Sequence, residues 1–135
     1  MINFEFVLTN PDNVVLKKSI NEYGNKYPEI LDVCGEFRIL VEGNIFFNEP
    51  QFPVVELVVF FEKWIKSKRK AKGMQFNSIE TEDNPLIQFK SEKDKFCIFS
   101  PWQLFECHEL FTKNEIMEAF HELKKSVDEQ IQLLA

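Results

Sequence analysis

The sequence predicts a single α+β domain over residues 1–135, in which an antiparallel sheet of about six to seven strands packs against two main helices. Three observations support this fold class. Several short runs alternate apolar and polar residues, and this period of two is typical of half-buried strands. Two longer segments, about residues 53–70 and 113–134, repeat apolar residues at helical spacings of three and four. The connections between the later strands are short and polar, as in an antiparallel meander.

The first strands are predicted from this alternation and from turn residues. Apolar residues occupy every second position of residues 2–8. Alternation returns at residues 36–41, and Gly43-Asn44 then separates that run from residues 45–47. Two residues of this kind between β-type runs predict a tight hairpin.

The first helices follow different signals. Residues 14–23 are predicted as a short helix. The helix at 53–70 has a broad apolar face, so we expect it to be the central, buried one. It ends in the basic run 66–72, whose cations suit the negative end of the helix dipole, and Gly73 stops it.

The second half of the chain combines short strands with a long terminal helix. Four further β-like runs are predicted at residues 74–80, 86–90, 96–99 and 102–107. The helix at 113–134 has a defined start, because Thr112 and Glu115 form a capping box. In that motif the Thr hydroxyl accepts from the amide three residues on, while the Glu reaches back.

Composition and charge narrow the function classes. The chain is 44% hydrophobic and 28% charged, and 16 Lys and Arg against 22 Asp and Glu give a net charge of −6. This acidity argues against a nucleic-acid-binding surface over the whole protein. The basic run 66–72 is the one local argument for such a surface, and its position at a helix C-terminus explains it without a ligand.

The sequence also predicts where the protein is located. The N-terminal segment contains Glu5 and no basic residue before Lys17, so it lacks the positive region of a signal peptide. Residues 54–65 are the most apolar stretch but include charges, so they cannot span a bilayer. The three cysteines are an odd number, which favours free thiols in a reducing compartment. We therefore expect a cytoplasmic protein with no membrane segment.

The ionisable residues predict no catalytic, metal or cofactor site. His121 lies away from the apolar stripe of the last helix, so we expect it in solvent. Cys107 and His108 are neighbours on a predicted strand and point to opposite faces, so they cannot form a nucleophile–base pair. The Cys and His spacing matches no zinc motif. Whether Cys97, Cys107 and His108 converge is left open.

Phenylalanine is the unusual component, with 15 Phe against 2 Tyr and 2 Trp. Phe46-Phe47 and residues 96–99 place apolar side chains on both faces of short strands. Two interpretations follow. Loops and the last helix cover both sheet faces, or one face is left as a contact surface.

The order of short motifs supplies a family resemblance. The motifs are EFRI and VEG within residues 36–43, FFNEP at 46–50, FPVVEL at 52–57, KW at 63–64, NPLIQF at 84–89 and SPWQLF at 100–105. This order resembles that of small proteins from Gram-positive bacteria that carry a domain-of-unknown-function label. Some of that group look like immunity proteins encoded beside secreted polymorphic toxins. The resemblance covers residues 33–133 in outline and implies no catalytic residues.

The leading functional hypothesis is a non-enzymatic immunity protein that neutralises a cognate toxin by forming a complex with it. An acidic surface steers association with a basic partner, such as a nuclease toxin. The expected contact residues are an acidic connector and nearby aromatic residues: Glu80, Glu82, Asp83, Trp102, Phe46 and Phe99. The alternative is a homo-oligomeric module, for example a homodimer, whose apolar sheet face pairs with itself. Neither hypothesis requires a metal or a cofactor.

Overall fold

The structure, a computed structural model, describes residues 1–9, 35–67, 73–78 and 81–132. The elements in chain order are β1 (Ile2–Leu8), β2 (Gly35–Val41), β3 (Asn44–Phe52), α1 (Val54–Lys66), β4 (Gly73–Phe76), β5 (Ile87–Glu92), β6 (Lys95–Phe99) and α2 (Lys113–Gln132). The α+β class and the two main helices are confirmed. The short helix predicted at 14–23 lies outside the described residues.

The strands form two antiparallel sheets. The first sheet has the order β1-β2-β3 and the second the order β4-β5-β6. The sequence predicted the same class of sheet and a similar number of strands, but in one continuous sheet. Within the described ranges no strand of one sheet pairs with a strand of the other.

The irregular free edge of β3 explains why the first sheet stops there. The pairing of β2 with β3 shifts register twice, so β3 bulges near Phe46 and near Pro50. Pro50 has no amide hydrogen, and the Phe46 carbonyl oxygen already accepts from the Leu104 amide at 2.8 Å. Bulges, proline and an occupied carbonyl are the features that block further strand pairing at a sheet edge.

The β2–β3 hairpin is confirmed, with its turn one residue earlier than expected. The central residues are Glu42 and Gly43, at φ values of 50° and 80°. Positive φ at both central positions matches the twist of the flanking strands. The Glu42 amide donates to the Met1 carbonyl oxygen at 2.9 Å, and the Glu42 carboxylate pairs with the N-terminal ammonium of Met1. The turn is therefore tied to the start of β1.

The prediction of a strand at residues 102–107 is wrong. This segment follows a turn at Pro101 and Trp102 and has no ladder of strand hydrogen bonds. The Ser100 carbonyl oxygen accepts from the Gln103 amide at 3.2 Å, which closes the turn. Two apolar side chains of this segment pack against β3: Trp102 on Phe47 and Phe105 on Phe46.

Helix boundaries match the local signals. α1 is 13 residues long and ends at Lys66, before Ser67 adopts extended backbone, so it is shorter than predicted. The capping box of α2 is confirmed: the Glu115 amide donates to the Thr112 hydroxyl at 3.1 Å, and the Thr112 amide donates to the Glu115 carboxylate at 3.2 Å.

The two helices are joined by an ion pair between Lys124 of α2 and Glu62 of α1 at 2.5 Å.

The edge of β1 is covered by a side chain of α2. The Gln130 side-chain oxygen accepts from the Leu8 amide at 2.8 Å, and its side-chain nitrogen donates to the Phe6 carbonyl oxygen at 2.7 Å. One amide side chain thus occupies the place of a neighbouring strand, and it anchors the end of α2 to the first sheet.

Replacing Gln130 with Ala should lower the free energy of unfolding by about 1–2 kcal/mol, because two part-buried backbone groups lose their partners. Urea denaturation followed by circular dichroism measures the change. Glu129 is exposed on the same helix and provides the matched control. Its replacement by Ala should change stability by less than about 0.5 kcal/mol. Equal loss in the two variants would contradict the role of Gln130.

Candidate interaction surface

Two of the predicted contact residues, Asp83 and Trp102, meet in the structure. Asp83 lies in the connection between β4 and β5, and Trp102 lies in the turn after β6. The Trp102 indole Nε1 donates to the Asp83 carboxylate oxygen Oδ2 at 2.9 Å, across 19 residues of sequence. This hydrogen bond joins two loops into one surface.

Asn84 holds the first of these loops in shape. Its side-chain oxygen accepts from the Ser78 amide at 2.9 Å, and its side-chain nitrogen donates to the carbonyl oxygens of Ser78 and Thr81 at 3.0 and 2.8 Å. The Thr81 hydroxyl accepts from the Asp83 amide at 3.1 Å. The Asp83 carboxylate therefore projects from a loop whose backbone is closed by its own side chains.

Trp102 is fixed from both sides of its turn. Its amide donates to the Ser100 hydroxyl at 3.1 Å, and the Ser100 amide donates to the Gln103 side chain at 3.1 Å. The indole stacks on the buried ring of Phe47, with centroids 6.2 Å apart and planes at 16°. Trp102 is only partly exposed, and β3 supports it.

The other predicted aromatic anchors have different positions. Phe46 is fully buried, because Phe105 packs edge-on against it at 5.5 Å. Phe46 therefore has no exposed surface with which to contact a partner, contrary to its prediction as a contact residue. Phe99 is 37% exposed on the outer side of the second sheet. Since Phe47 and Phe96 are also buried, loops and helices cover most of the phenylalanine surplus.

The segments that carry Trp102 and Asp83 also carry further acidic residues. Glu82 and Asp83 are exposed, and Glu106 is exposed on the other loop. Residues 81–86 and 99–106 contain these three carboxylates and no Lys or Arg. Glu80 lies outside the described residues.

Leu104 is a surface residue that the sequence did not indicate. It is 63% exposed, although its amide is bonded to β3. Because the pattern of residues 102–107 predicts a strand, nothing in the sequence indicates that Leu104 lies at the surface. Only Pro101 indicates irregular backbone in this segment. A groove of about 500 Å³ with Phe99 and Pro101 in its lining lies on the same side as the two loops. We call the following residues the Trp102 surface: Glu82, Asp83, Phe99, Pro101, Trp102, Leu104 and Glu106.

The described cysteines and histidines do not form a reactive or metal-binding group. Burial raises the pKa of Cys97 and of Cys107, which disfavours the nucleophilic thiolate. His108 is exposed, with its Nε2 4.0 Å from a Glu106 carboxylate oxygen, and His121 is exposed on α2. Across the described part of the chain, no group of three or more His, Cys, Asp or Glu residues could hold a metal ion.

Fold and surface together define a small α+β protein that presents an acidic, partly aromatic surface on two ordered loops. The chain belongs to a family described as a domain of unknown function, DUF7878, whose model matches residues 3–133. No curated protein and no solved structure matches this chain. Among the described helices, none is both long enough and apolar enough to cross a membrane.

Replacing Asp83 with Ala should release the Trp102 indole and lower the free energy of unfolding by about 0.5–1.5 kcal/mol. The indole ¹H–¹⁵N resonance of Trp102 should move upfield as its N–H loses a charged acceptor. The chain has only 2 Trp, so a Trp102→Phe variant assigns the signal. Glu82→Ala removes a neighbouring exposed carboxylate without touching the indole and should leave the resonance in place. An unchanged resonance in Asp83→Ala would show that this bond does not form in solution.

Proposed function

We propose that this chain is a non-enzymatic binding protein of the immunity type, which neutralises a cognate bacterial toxin in the cytoplasm by forming a complex with it. One observation carries the proposal: the hydrogen bond between Asp83 and Trp102, which holds a partly exposed indole beside acidic loops. The resemblance of the motif order to proteins encoded beside secreted toxins gives the biological context.

Charge favours a basic partner. The chain has a net charge of −6, and residues 81–86 and 99–106 of the Trp102 surface contain three of its carboxylates and no Lys or Arg. Surfaces of one sign raise the association rate of partners of the opposite sign. A nuclease toxin, whose substrate is a polyanion, is a basic partner of this kind, whereas the same loops repel nucleic acid itself.

The apolar part of the surface provides binding energy. Trp102 and Leu104 in the turn segment and Phe99 at the end of β6 are exposed or partly exposed apolar side chains. Aromatic residues near the centre of an interface contribute a large share of its affinity, and a rim of polar residues excludes water around them. Because Trp102 is already stacked on Phe47, little side-chain entropy is lost when a partner packs against it.

The second candidate is a homo-oligomer that pairs through a sheet face. It is supported by Val7 and Ile45, which are 62% and 39% exposed on the first sheet. Glu5 lies opposite Arg38 between these positions, and Arg38 pairs with Glu36. Charged rows across an outer face oppose an apolar self-contact, so we favour the toxin complex.

The proposal predicts that a gene beside the one for this chain encodes a toxin-like domain, and it is tested by measuring binding to that domain. Glu82→Lys/Glu106→Lys should slow association about tenfold at low salt, because it reverses two charges on the Trp102 surface. Surface plasmon resonance measures the rate at several salt concentrations. Glu118→Lys/Glu122→Lys makes the same change of net charge on exposed α2 positions and should leave the rate within about twofold.

Three results would contradict this proposal. The first is no binding of the purified neighbouring domain. The second is an equal decrease of the association rate in both double variants, because net charge alone would then explain the decrease. The third is a dimer that persists at low concentration in sedimentation velocity and forms through Val7 and Ile45, since it would favour the homo-oligomeric module.

A further inference from the structure

A small cavity lies behind Trp102, between β3, the start of α1 and the connection that leads into β5. Its volume is about 210 Å³. The lining residues are Glu49, Gln51, Phe52, Pro53, Ser78, Thr81, Leu86 and Trp102. Its side chains include the partly exposed ring of Trp102, the fully buried ring of Phe52, two hydroxyl groups and one carboxylate.

The charged groups around the cavity are negative. Glu49 is the charged residue of the lining; its carboxylate accepts one long hydrogen bond, from the Gln51 amide at 3.4 Å, and it is partly exposed. Behind Ser78 lies Glu56, which is 3% exposed and accepts from the Ser78 hydroxyl at 3.3 Å. No Lys or Arg lines the cavity among the residues that the structure describes.

The N-terminus of α1 acts in the opposite direction. Pro53 is its N-cap residue, and a helix N-terminus carries about half a positive elementary charge, which favours anions. The Glu49 carboxylate in the lining outweighs that partial positive charge. The balance is negative, so the cavity favours a cation.

The walls distinguish between kinds of cation. Trp102 supplies the partly exposed aromatic surface of the lining, on which a planar and weakly hydrated guanidinium stacks more readily than an ammonium. A carboxylate such as Glu49 pairs with a guanidinium through two parallel hydrogen bonds. A cavity of about 150 Å³ holds a benzene molecule, so the space near Trp102 accommodates a guanidinium group with its adjoining carbon.

We propose that this cavity is the binding site for the guanidinium group of an arginine side chain on the partner protein. The inference rests on the proposed function, because the arginine belongs to the basic partner that the Trp102 surface recruits. In this proposal the acidic loops attract a basic protein, and the cavity determines which side chain of that protein binds. Glu49 and Trp102 are the cavity residues that select an arginine.

Methylguanidinium is the probe for this site, and methylurea is its neutral counterpart of the same shape. The full-length chain, labelled with ¹⁵N, is titrated with each compound while the two indole resonances are followed. Methylguanidinium should shift the Trp102 resonance in a saturable way and leave Trp64, which is 7% exposed and does not line the cavity, unchanged. Methylurea should cause no saturable shift.

Glu49→Gln tests the carboxylate while it keeps the side-chain shape. Affinity for methylguanidinium should fall about tenfold, because a charge-assisted pair is replaced by a neutral one. Glu82→Gln is the matched control, since it removes one carboxylate of the same surface outside the cavity, and it should bind as the unmodified protein does. Thermal unfolding confirms that both variants are folded.

The inference is overturned by an unchanged Trp102 resonance, by an equal shift with methylurea, or by equal affinity of Glu49→Gln and the unmodified protein. The comparison of methylguanidinium with methylurea uses the unmodified protein. It therefore tests the cavity even if a substitution disturbs the fold. Binding of the neighbouring toxin-like domain without a methylguanidinium site would leave the proposed function standing and reject the cavity. Methylguanidinium binding without a toxin complex would support the cavity as a guanidinium site and reject the proposed function.

Discussion

The fold depends on Phe61, whose ring lies where the two sheets and the second helix meet. It contacts Phe4 of the first sheet and Phe89 of the second, each at 6.0 Å between centroids, and stacks on Phe120 of α2 at 4.2 Å. Burial of a Phe side chain contributes about 1.5–3 kcal/mol, and each aromatic pair adds about 0.5–1.5 kcal/mol. Because no described strand joins the sheets, these contacts through α1 hold the two sheets in position.

The same aromatic packing reaches the surface and keeps it ordered. Phe52 stacks on Phe37 at 4.7 Å and meets Phe47 edge-on at 5.8 Å, and Phe47 in turn supports Trp102. The indole N–H is then fixed by Asp83. A tryptophan suits this boundary position better than a phenylalanine, because one end of its ring can pack on the core while the other donates to a polar group. The Trp102 surface is therefore preorganised by the core, which lowers the entropic cost of binding.

Local chemistry made much of the fold predictable. The capping box of Thr112 and Glu115 and the hairpin near Gly43 depend on residues close in sequence, and both form. The division into two sheets depends on the free edge of β3, where a bulge and Pro50 block pairing. A period-two pattern is the same for a strand inside a sheet and for one at its edge, so alternation alone could not separate the sheets. It also could not distinguish a strand from the irregular segment 102–107, in which Trp102 and Phe105 pack on β3.

The candidate site was predictable only in part, for a related reason. Asp83 and Trp102 were singled out by residue type, and their contact depends on two loops that the fold brings together across 19 residues. Glu49 carried no signal, because only the bulged edge of β3 places it in the cavity behind Trp102. Most of the phenylalanines are in the core, so the proposed interface has few exposed apolar side chains and relies on charge. An interface of that kind acquires its specificity from electrostatic complementarity and one or two well-placed contacts rather than from apolar area.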